Sequence, residues 1–156
     1  MPHIHDQIDF TVEVFVVNDN RVLLRRHDKY GLWLSVGGHV ELHEDPVAAA
    51  IREVKEEVGL DVQLFHDESS YQLFGDNQYQ ELVSPQAMNR HRINDTHEHV
   101  TLVFFAKAGS DKLKLSETEK SDACRWFTKE DLDDSQFNVK RHVKLHAKRA
   151  LEMINK

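Results

Sequence analysis

The sequence has almost no cysteine and no long hydrophobic run. Cys124 is the single cysteine among 156 residues, so no intramolecular disulfide can form, and a reducing cytosol is the expected location. No apolar stretch approaches the length of a membrane span. The first ten residues lack the basic and apolar regions of a signal peptide. We therefore expect a cytoplasmic protein without a membrane partner.

An excess of positive charge is also absent. The net charge is −7 and the pI about 5.8, which disfavours broad electrostatic binding to nucleic acid or acidic membranes. A small phosphorylated substrate remains compatible with this charge, because a bound metal would invert the local field. With 156 residues, 40% of them hydrophobic, the chain is long enough for one domain with a real core. We predict a single domain over residues 1–156.

The most informative stretch is residues 38–60, GHVELHEDPVAAAIREVKEEVGL. Asp45 is a good N-cap and Pro46 suits the first helical position, so a helix is predicted to begin there. Gly59 suits a left-handed C-terminal cap, so the helix should end near Val58. Its apolar residues recur at helical spacing and should face the core: Val47, Ile51, Val54 and Val58.

Three glutamates of this helix, Glu53, Glu56 and Glu57, are expected to share a face away from the apolar stripe. Like charges at this spacing repel one another, and Arg52 cannot neutralise all three. A bound cation is the simplest compensation, and hard oxygen ligands suit Mg²⁺ or Mn²⁺. Acidic clusters of this kind are also common on solvated helix faces. The preceding glycines favour the metal site, because they let backbone approach a ligand closely.

Residues 38–60 resemble the Nudix box of the Nudix hydrolases, G-x5-E-x7-R-E-U-x-E-E-x-G-U, where U is aliphatic. Every fixed position of that pattern is satisfied, by Gly38, Glu44, Arg52, Glu53, Val54, Glu56, Glu57, Gly59 and Leu60. The resemblance implies an α/β (α+β) fold in which a mixed β-sheet is sandwiched between the box helix and a C-terminal helix. It also implies magnesium-dependent hydrolysis of a nucleoside diphosphate linked to a moiety X, by attack of water on phosphorus. Nucleoside triphosphates, nucleotide sugars and dinucleoside polyphosphates are the substrate types expected.

The resemblance also implies roles for individual residues. Glu56 and Glu57 are the expected metal ligands, Glu53 is a ligand or the water-activating group, and the carbonyl of Gly38 is a backbone ligand. Arg52 would orient the carboxylates, chiefly Glu56. Glu44 is expected to be structural and to pair with Arg52. The general base stays open: Glu53 or Glu57 is favoured, and the candidates outside the box are Glu98, Glu117 and Glu119.

Candidate substrate contacts lie outside the box. Tyr30 and Trp33 could stack on a base, although Trp33 is equally well explained as a core residue. Tyr79 lies close to the position of a tyrosine found in members that act on dinucleoside polyphosphates. His97 and His99 alternate on one predicted strand and share a face, as a metal-binding pair could. For this pair a substrate-facing or partly buried role is favoured over metal binding.

The remaining elements follow from hydrophobic patterns. Strands are predicted at residues 10–17, 21–26, 61–66, 71–74, 97–108 and 123–127. Residues 27–35 and 75–96 are predicted loops, and the second is a candidate for setting substrate choice. Ser116 and Glu119 have the spacing of a capping box. A helical turn at residues 128–132 and a final helix at 138–155 complete the chain, the latter with the stripe Val139, Val143, Ala147, Ala150 and Ile154.

A non-catalytic module that binds a nucleotide without cleaving it is the alternative function. Such modules are expected to have lost box glutamates, whereas this chain keeps them all. Many Nudix proteins dimerise, and nothing in the sequence excludes a homodimer.

Overall fold

The computed structural model describes residues 6–27, 29–115 and 123–156. Eight strands of these residues form one mixed sheet: β1 (Ile8–Asn18), β2 (Arg21–Arg26), β3 (Trp33–Leu34), β4 (Val36–His39), β5 (Val62–Leu64), β6 (Ala87–Arg92), β7 (Glu98–Ala108) and β8 (Ala123–Phe127). The described helices are α1 (Pro46–Val58), α2 (Lys129–Asp133) and α3 (Arg141–Ile154). None of them is long and apolar enough to cross a membrane.

The centre of the sheet is the pairing of β1 with β7. These two strands run parallel from Ile8 opposite Glu98 to Val17 opposite Lys107, and the other pairings between described strands are antiparallel. The other edge of β1 is shared: β4 pairs with its first half and β2 with its last residues. The sheet is therefore split beside β1, between β2 and β4.

Two hydrophobic cores lie on the two faces of the sheet. Successive residues of β1 alternate between them, because side chains of a strand point to opposite faces. Val12, Val14 and Val16 pack in the core that contains the buried face of α1. Phe15 and Val17 pack in the core that contains α3. The predicted sandwich of a mixed sheet between the box helix and the C-terminal helix is confirmed.

The ends of α1 are as predicted, but its buried face is different. The side chain of Asp45 accepts a hydrogen bond from the Ala48 N–H at 2.8 Å, and Gly59 is left-handed with φ of 73°. The prediction that Ile51 faces the core is wrong, since its side chain is 41% exposed. Small alanines allow close packing instead, and the buried residues of α1 are Ala49, Ala50, Glu53, Val54, Glu57 and Val58. Two glutamates thus lie on the inward face, contrary to the expectation that all three point away from it.

Three predictions for the connecting segments are wrong. Residues 71–74 form no strand. β6 falls within the predicted loop 75–96 and β3 within the predicted loop 27–35. β6 is held at an edge of the sheet by pairing with β7, and its mostly exposed, polar side chains give no hydrophobic alternation. β3 has only two residues, too few for a periodic signal.

The last helix begins at Arg141, three residues later than predicted. Asn138 has φ of 49°, a left-handed conformation that is incompatible with a helix at this position. The predicted stripe is nevertheless buried against the sheet, through Val143, Ala147 and Ala150. The proposed capping box at Ser116 and Glu119 lies outside the described residues.

Candidate active site

A cleft of about 840 Å³ opens where the sheet is split beside β1. It is lined by Thr11, Val12, Glu13, Arg25, His27, Leu34, Ser35, Gly37, Gly38, His39, Glu53, Glu57, His91, Ile93, His99 and Thr101. These residues come from β1, β2, β3, β4, β6 and β7, from α1 and from neighbouring loops. The cleft therefore joins the acidic face of α1 to polar residues of the sheet.

Glu53 and Glu57 line the cleft from one face of α1. They are one helical turn apart and only 2% and 6% exposed. The Glu57 Oε2 atom lies 3.0 Å from the Nε of Arg25 on β2. The Glu53 Oε1 atom accepts a hydrogen bond from Arg52 Nη1, also at 3.0 Å. Buried carboxylates are costly unless paired, and these two are held by arginines on either side.

Arg52 connects the acidic residues of the box. Its Nη2 donates to Glu44 Oε1 at 2.6 Å and to the carbonyl of His39 at 3.0 Å. Its Nη1 donates to Glu56 Oε2 at 3.1 Å, as the helical spacing predicted. The shortest contact is with Glu44, and this hydrogen bond is the main reason why the pKa of the Glu44 carboxyl is lowered. The predicted pairing of Glu44 with Arg52 is therefore present.

The paired glycines bring β4 close to both α1 and β1. A Cβ atom on Gly38 would lie 2.2 Å from Glu53 Oε1, and one on Gly37 would lie 2.0 Å from the carbonyl oxygen of Val12. Any side chain at position 38 would displace the Glu53 carboxylate. The close approach that Gly38 permits is therefore made to the Glu53 carboxylate of the site, and that of Gly37 to the backbone of β1.

Glu13 is a site residue that sequence reasoning missed. It lies between the buried Val12 and Val14 on β1 and lines the cleft. Burial raises the pKa of its carboxyl above the ordinary value. The signal in the sequence was a lone glutamate inside an otherwise apolar strand, which was interpreted only as a strand buried on both faces. The structure adds Glu13 to Glu53 and Glu57 as a third carboxylate of the cleft.

Polar residues also share one face of the sheet at the far side of the cleft. Asp9 and Thr11 of β1 lie opposite His99 and Thr101 of β7, and His39 of β4 lies opposite Thr11. The hydroxyls of Thr11 and Thr101 are 2.7 Å apart. Burial, followed by the nearby imidazoles, lowers the pKa of His99 to about 4, so this side chain is neutral at pH 7.

Several predicted site residues lie outside the lining of the cleft. The Glu56 side chain is 57% exposed, Tyr30 stacks on His27 with ring centroids 5.1 Å apart, and Trp33 packs edge-on against Phe127 in the core. Glu98 pairs with Arg90 at 2.6 Å, and Tyr79 is exposed beside Phe74. The packing of Trp33 agrees with its alternative interpretation as a core residue. The functional roles of all these residues stay predictions.

The residues present fit a hard divalent cation. Among the described residues, the carboxylates of Glu13, Glu53 and Glu57 line the cleft, and those of Glu44 and Glu56 contact Arg52 beside it. The site therefore brings several carboxylates together in partly buried surroundings. Its donors are oxygens, the ligands that Mg²⁺ and Mn²⁺ prefer.

Comparison with known proteins decides the family. The family model of the NUDIX domain matches residues 9–148. This chain belongs to the Nudix hydrolase family. A NUDIX-family hydrolase from Clostridium perfringens is 31% identical, and its crystal structure superposes with a TM-score of 0.81 over 94% of this chain and 97% of that one. Family membership favours the hydrolase over the non-catalytic binding module.

Two curated relatives have named activities. The m7GpppN-mRNA hydrolase NUDT17 of Xenopus laevis is 32% identical over 79% of this chain, and the dihydroneopterin triphosphate diphosphatase of Haemophilus influenzae is 39% identical over 55% of it. The match spans 42% of the first relative and 53% of the second. The chain thus corresponds to about half the length of the curated relatives it matches.

Proposed function

We propose that this Nudix hydrolase is a magnesium-dependent pyrophosphohydrolase. It would cleave a nucleoside diphosphate linked to a moiety X, by attack of water on phosphorus. The observation that carries the proposal is the burial of Glu53 and Glu57 in the wall of the cleft, beside the glycine whose missing side chain leaves room for Glu53. Mn²⁺ is expected to replace Mg²⁺, since both prefer oxygen ligands.

Each residue of the box has a proposed part in this reaction. Glu53, Glu56, Glu57 and the carbonyl of Gly38 would hold the ion, which when bound neutralises phosphate charge and lowers the pKa of a coordinated water. Arg52 holds the Glu53 carboxylate through a hydrogen bond to its Oε1 atom. Arg25 holds the Glu57 carboxylate as an ion pair. Glu53 or Glu57 accepts the proton of the attacking water, because the helix fixes both in the cleft.

The substrate proposed is a small nucleotide-type molecule. A volume of about 840 Å³ lies within the usual range for small-molecule sites. The two named relatives act on a capped mRNA and on a pterin triphosphate, so the substrate panel must extend beyond free nucleotides. A net charge of −7 disfavours extended contact with RNA. Tyr30, Tyr79 and Glu98 remain the proposed substrate contacts, whereas Trp33 packs against Phe127 in the core. A cytosolic location is proposed because the chain has a single cysteine.

A substrate panel tests this proposal. Nucleoside triphosphates, nucleotide sugars, ADP-ribose, dinucleoside polyphosphates, capped RNA and dihydroneopterin triphosphate would each be assayed with Mg²⁺, Mn²⁺ or EDTA. We expect metal-dependent hydrolysis of one class by the wild type and by Glu68→Gln, which changes an exposed glutamate outside the cleft. Glu57→Gln should lose this activity. Nucleotide binding by calorimetry without any turnover would instead favour the non-catalytic module.

A further inference from the structure

A second cluster of metal-binding residue types lies beside the cleft and has no part in the proposed hydrolysis. It consists of Asp9 on β1, His39 on β4, His99 on β7, and His97, which directly precedes β7. Asp9, His39 and His99 come from three different strands, which the sheet register brings together. His39 and His99 also line the cleft.

The donor atoms of this cluster already have the spacing of a metal site. One ligand atom each from Asp9, His39 and His99 lies within 4.8 Å of the other two. The Asp9 Oδ2 and His39 Nε2 atoms are 3.2 Å apart. Tetrahedral ligands at about 2.0–2.1 Å from zinc lie roughly 3.3 Å from one another. Small side-chain movements would therefore complete three coordination bonds.

His97 supplies a second, independent observation. Its Nδ1 lies 3.2 Å from the backbone carbonyl oxygen of Asp6. The other ring nitrogen, Nε2, is 3.3 Å from the same Asp9 Oδ2 that faces His39. One carboxylate oxygen thus faces two imidazole nitrogens. His97 is therefore placed to orient the Asp9 carboxylate, as the outer-shell partner of a metal ligand does.

Burial and donor type distinguish this cluster from the acidic site on α1. Asp9 is fully buried and His39 only 7% exposed, whereas a solvated surface cluster would be open to water. Two imidazoles and one carboxylate suit zinc and its first-row neighbours, while Mg²⁺ prefers oxygen donors. A histidine that contacts a ligating carboxylate is a usual outer-shell partner in such sites.

We propose that Asp9, His39 and His99 bind a divalent transition metal of the zinc class at a site separate from the magnesium site. His97 is the positioning residue that holds the Asp9 carboxylate. His39 and His99 line the same cleft as Glu53 and Glu57. The proposal depends on this cluster alone and does not require the proposed hydrolysis.

Metal titration of the full chain tests the proposal. Calorimetry with Zn²⁺ would be performed on metal-free protein with excess Mg²⁺ present, and the absorption spectrum of added Co²⁺ would report imidazole coordination. The variants are Asp9→Asn, His39→Gln and His99→Gln as ligand changes and His97→Gln as the positioning change. His66→Gln is the matched control, because this histidine lies outside the cleft. The Glu57→Gln variant changes a proposed magnesium ligand, so it distinguishes Zn²⁺ binding at the cluster from Zn²⁺ binding at the acidic site on α1.

We expect one equivalent of Zn²⁺ to bind the wild type, His66→Gln and Glu57→Gln, with a tetrahedral Co²⁺ spectrum. Each ligand variant should lose affinity by more than about 100-fold, since the loss of an outer-shell partner alone costs about 10–100-fold. His97→Gln should keep the stoichiometry and bind about 10–100-fold more weakly.

Two results would overturn the proposal. The first is Zn²⁺ binding that disappears in Glu57→Gln but persists in the ligand variants, which would place the metal on α1. The second is the absence of Zn²⁺ and Co²⁺ binding by the wild type, which would leave the cluster with a structural role only. The wild-type titration requires no substitution, so it decides the question even where a variant fails to fold.

Discussion

Gly38 leaves the space that the Glu53 carboxylate occupies. We predict that Gly38→Ala lowers kcat/KM by about 100-fold or more. The new Cβ would lie 2.2 Å from Glu53 Oε1 and would therefore push this carboxylate out of its position. A misplacement of about 1 Å at a catalytic group is enough to lower the rate by about 100-fold. The matched control is Gly109→Ala, where an added Cβ meets no atom within 4 Å. Steady-state kinetics on the substrate found in the panel measure the effect. Equal activity of both variants would show that Glu53 need not keep this position.

The hydrogen bonds of Arg52 depend on the planar shape of its guanidinium group. Its nitrogens donate to Glu44, Glu53, Glu56 and the carbonyl of His39. A lysine carries the same charge but cannot reproduce this geometry. We predict that Arg52→Lys lowers the free energy of unfolding by about 1–3 kcal/mol, through lost charge-assisted hydrogen bonds. Urea unfolding would measure this. Arg141→Lys, on an exposed position of α3, should change it by less than about 0.5 kcal/mol.

Residues close together in sequence were predictable, and residues joined by the sheet were not. The spacing along α1 predicts that Glu53 and Glu57 lie together, and both line the cleft. Asp9 lies 30 positions before His39 and 90 before His99, and only the register of β1 with β4 and β7 brings them together. Glu13 was missed for the same reason, since its neighbours in space are on other elements.

At the scale of the element, the position of α1 depends on how its first turn is capped. Asp45 accepts a hydrogen bond from the Ala48 N–H, which would otherwise have no partner within the helix. We predict that Asp45→Ala lowers the free energy of unfolding by about 1 kcal/mol, the usual cost of losing such a cap. Thermal or urea unfolding would measure it.

The control for the cap is Asp61→Ala. Asp61 is exposed and forms a surface ion pair with Lys55, so its loss should cost less than about 1 kcal/mol. If the two aspartate variants are equally stable, the side-chain cap contributes nothing and the helix start is set by packing alone.

Elements with a strong local signal were predicted closely. β2 and β8 have the predicted bounds. β6 lies within a predicted loop, because an edge strand gains its stability from backbone pairing with β7 and its side chains need not be apolar. The stripe predicted on α1 includes Ile51 because it rests on large residues, whereas the small residues Ala49 and Ala50 are buried instead.

At the scale of the whole molecule, β1 carries its polar residues at one end and on one face. The faces of β1 are apolar from Val14 to Val17, and its first half carries Asp9, Thr11 and Glu13. Both metal sites proposed above lie at the ends of the two hydrophobic cores, where the strands extend beyond the buried apolar residues. The cores fix the strands, and the strands in turn position the polar side chains of the cleft.

The core beneath α3 contains a histidine that should make the fold sensitive to acid. His146 packs against Phe15 with ring centroids 5.7 Å apart. Burial, with Arg149 and His142 nearby, lowers the pKa of His146 below its ordinary 6.5, so the imidazole is neutral in the folded protein at pH 7. The unfolded chain takes up a proton more readily. The contribution of His146 to stability is therefore present above pH 6.5 and is lost as the pH falls below that value.

We predict that the free energy of unfolding of the His146→Gln variant falls less than that of the wild type when the pH is lowered from 7 to 5. The difference should be less than about 1.4 kcal/mol per pH unit, because solvent screens a partly exposed imidazole. Urea unfolding at several pH values, in EDTA, measures it. Leu145→Gln introduces the same side chain at the neighbouring exposed position and should keep the wild-type pH dependence. Parallel curves for His146→Gln and the wild type would mean that α3 accommodates the charged imidazole by turning it toward solvent.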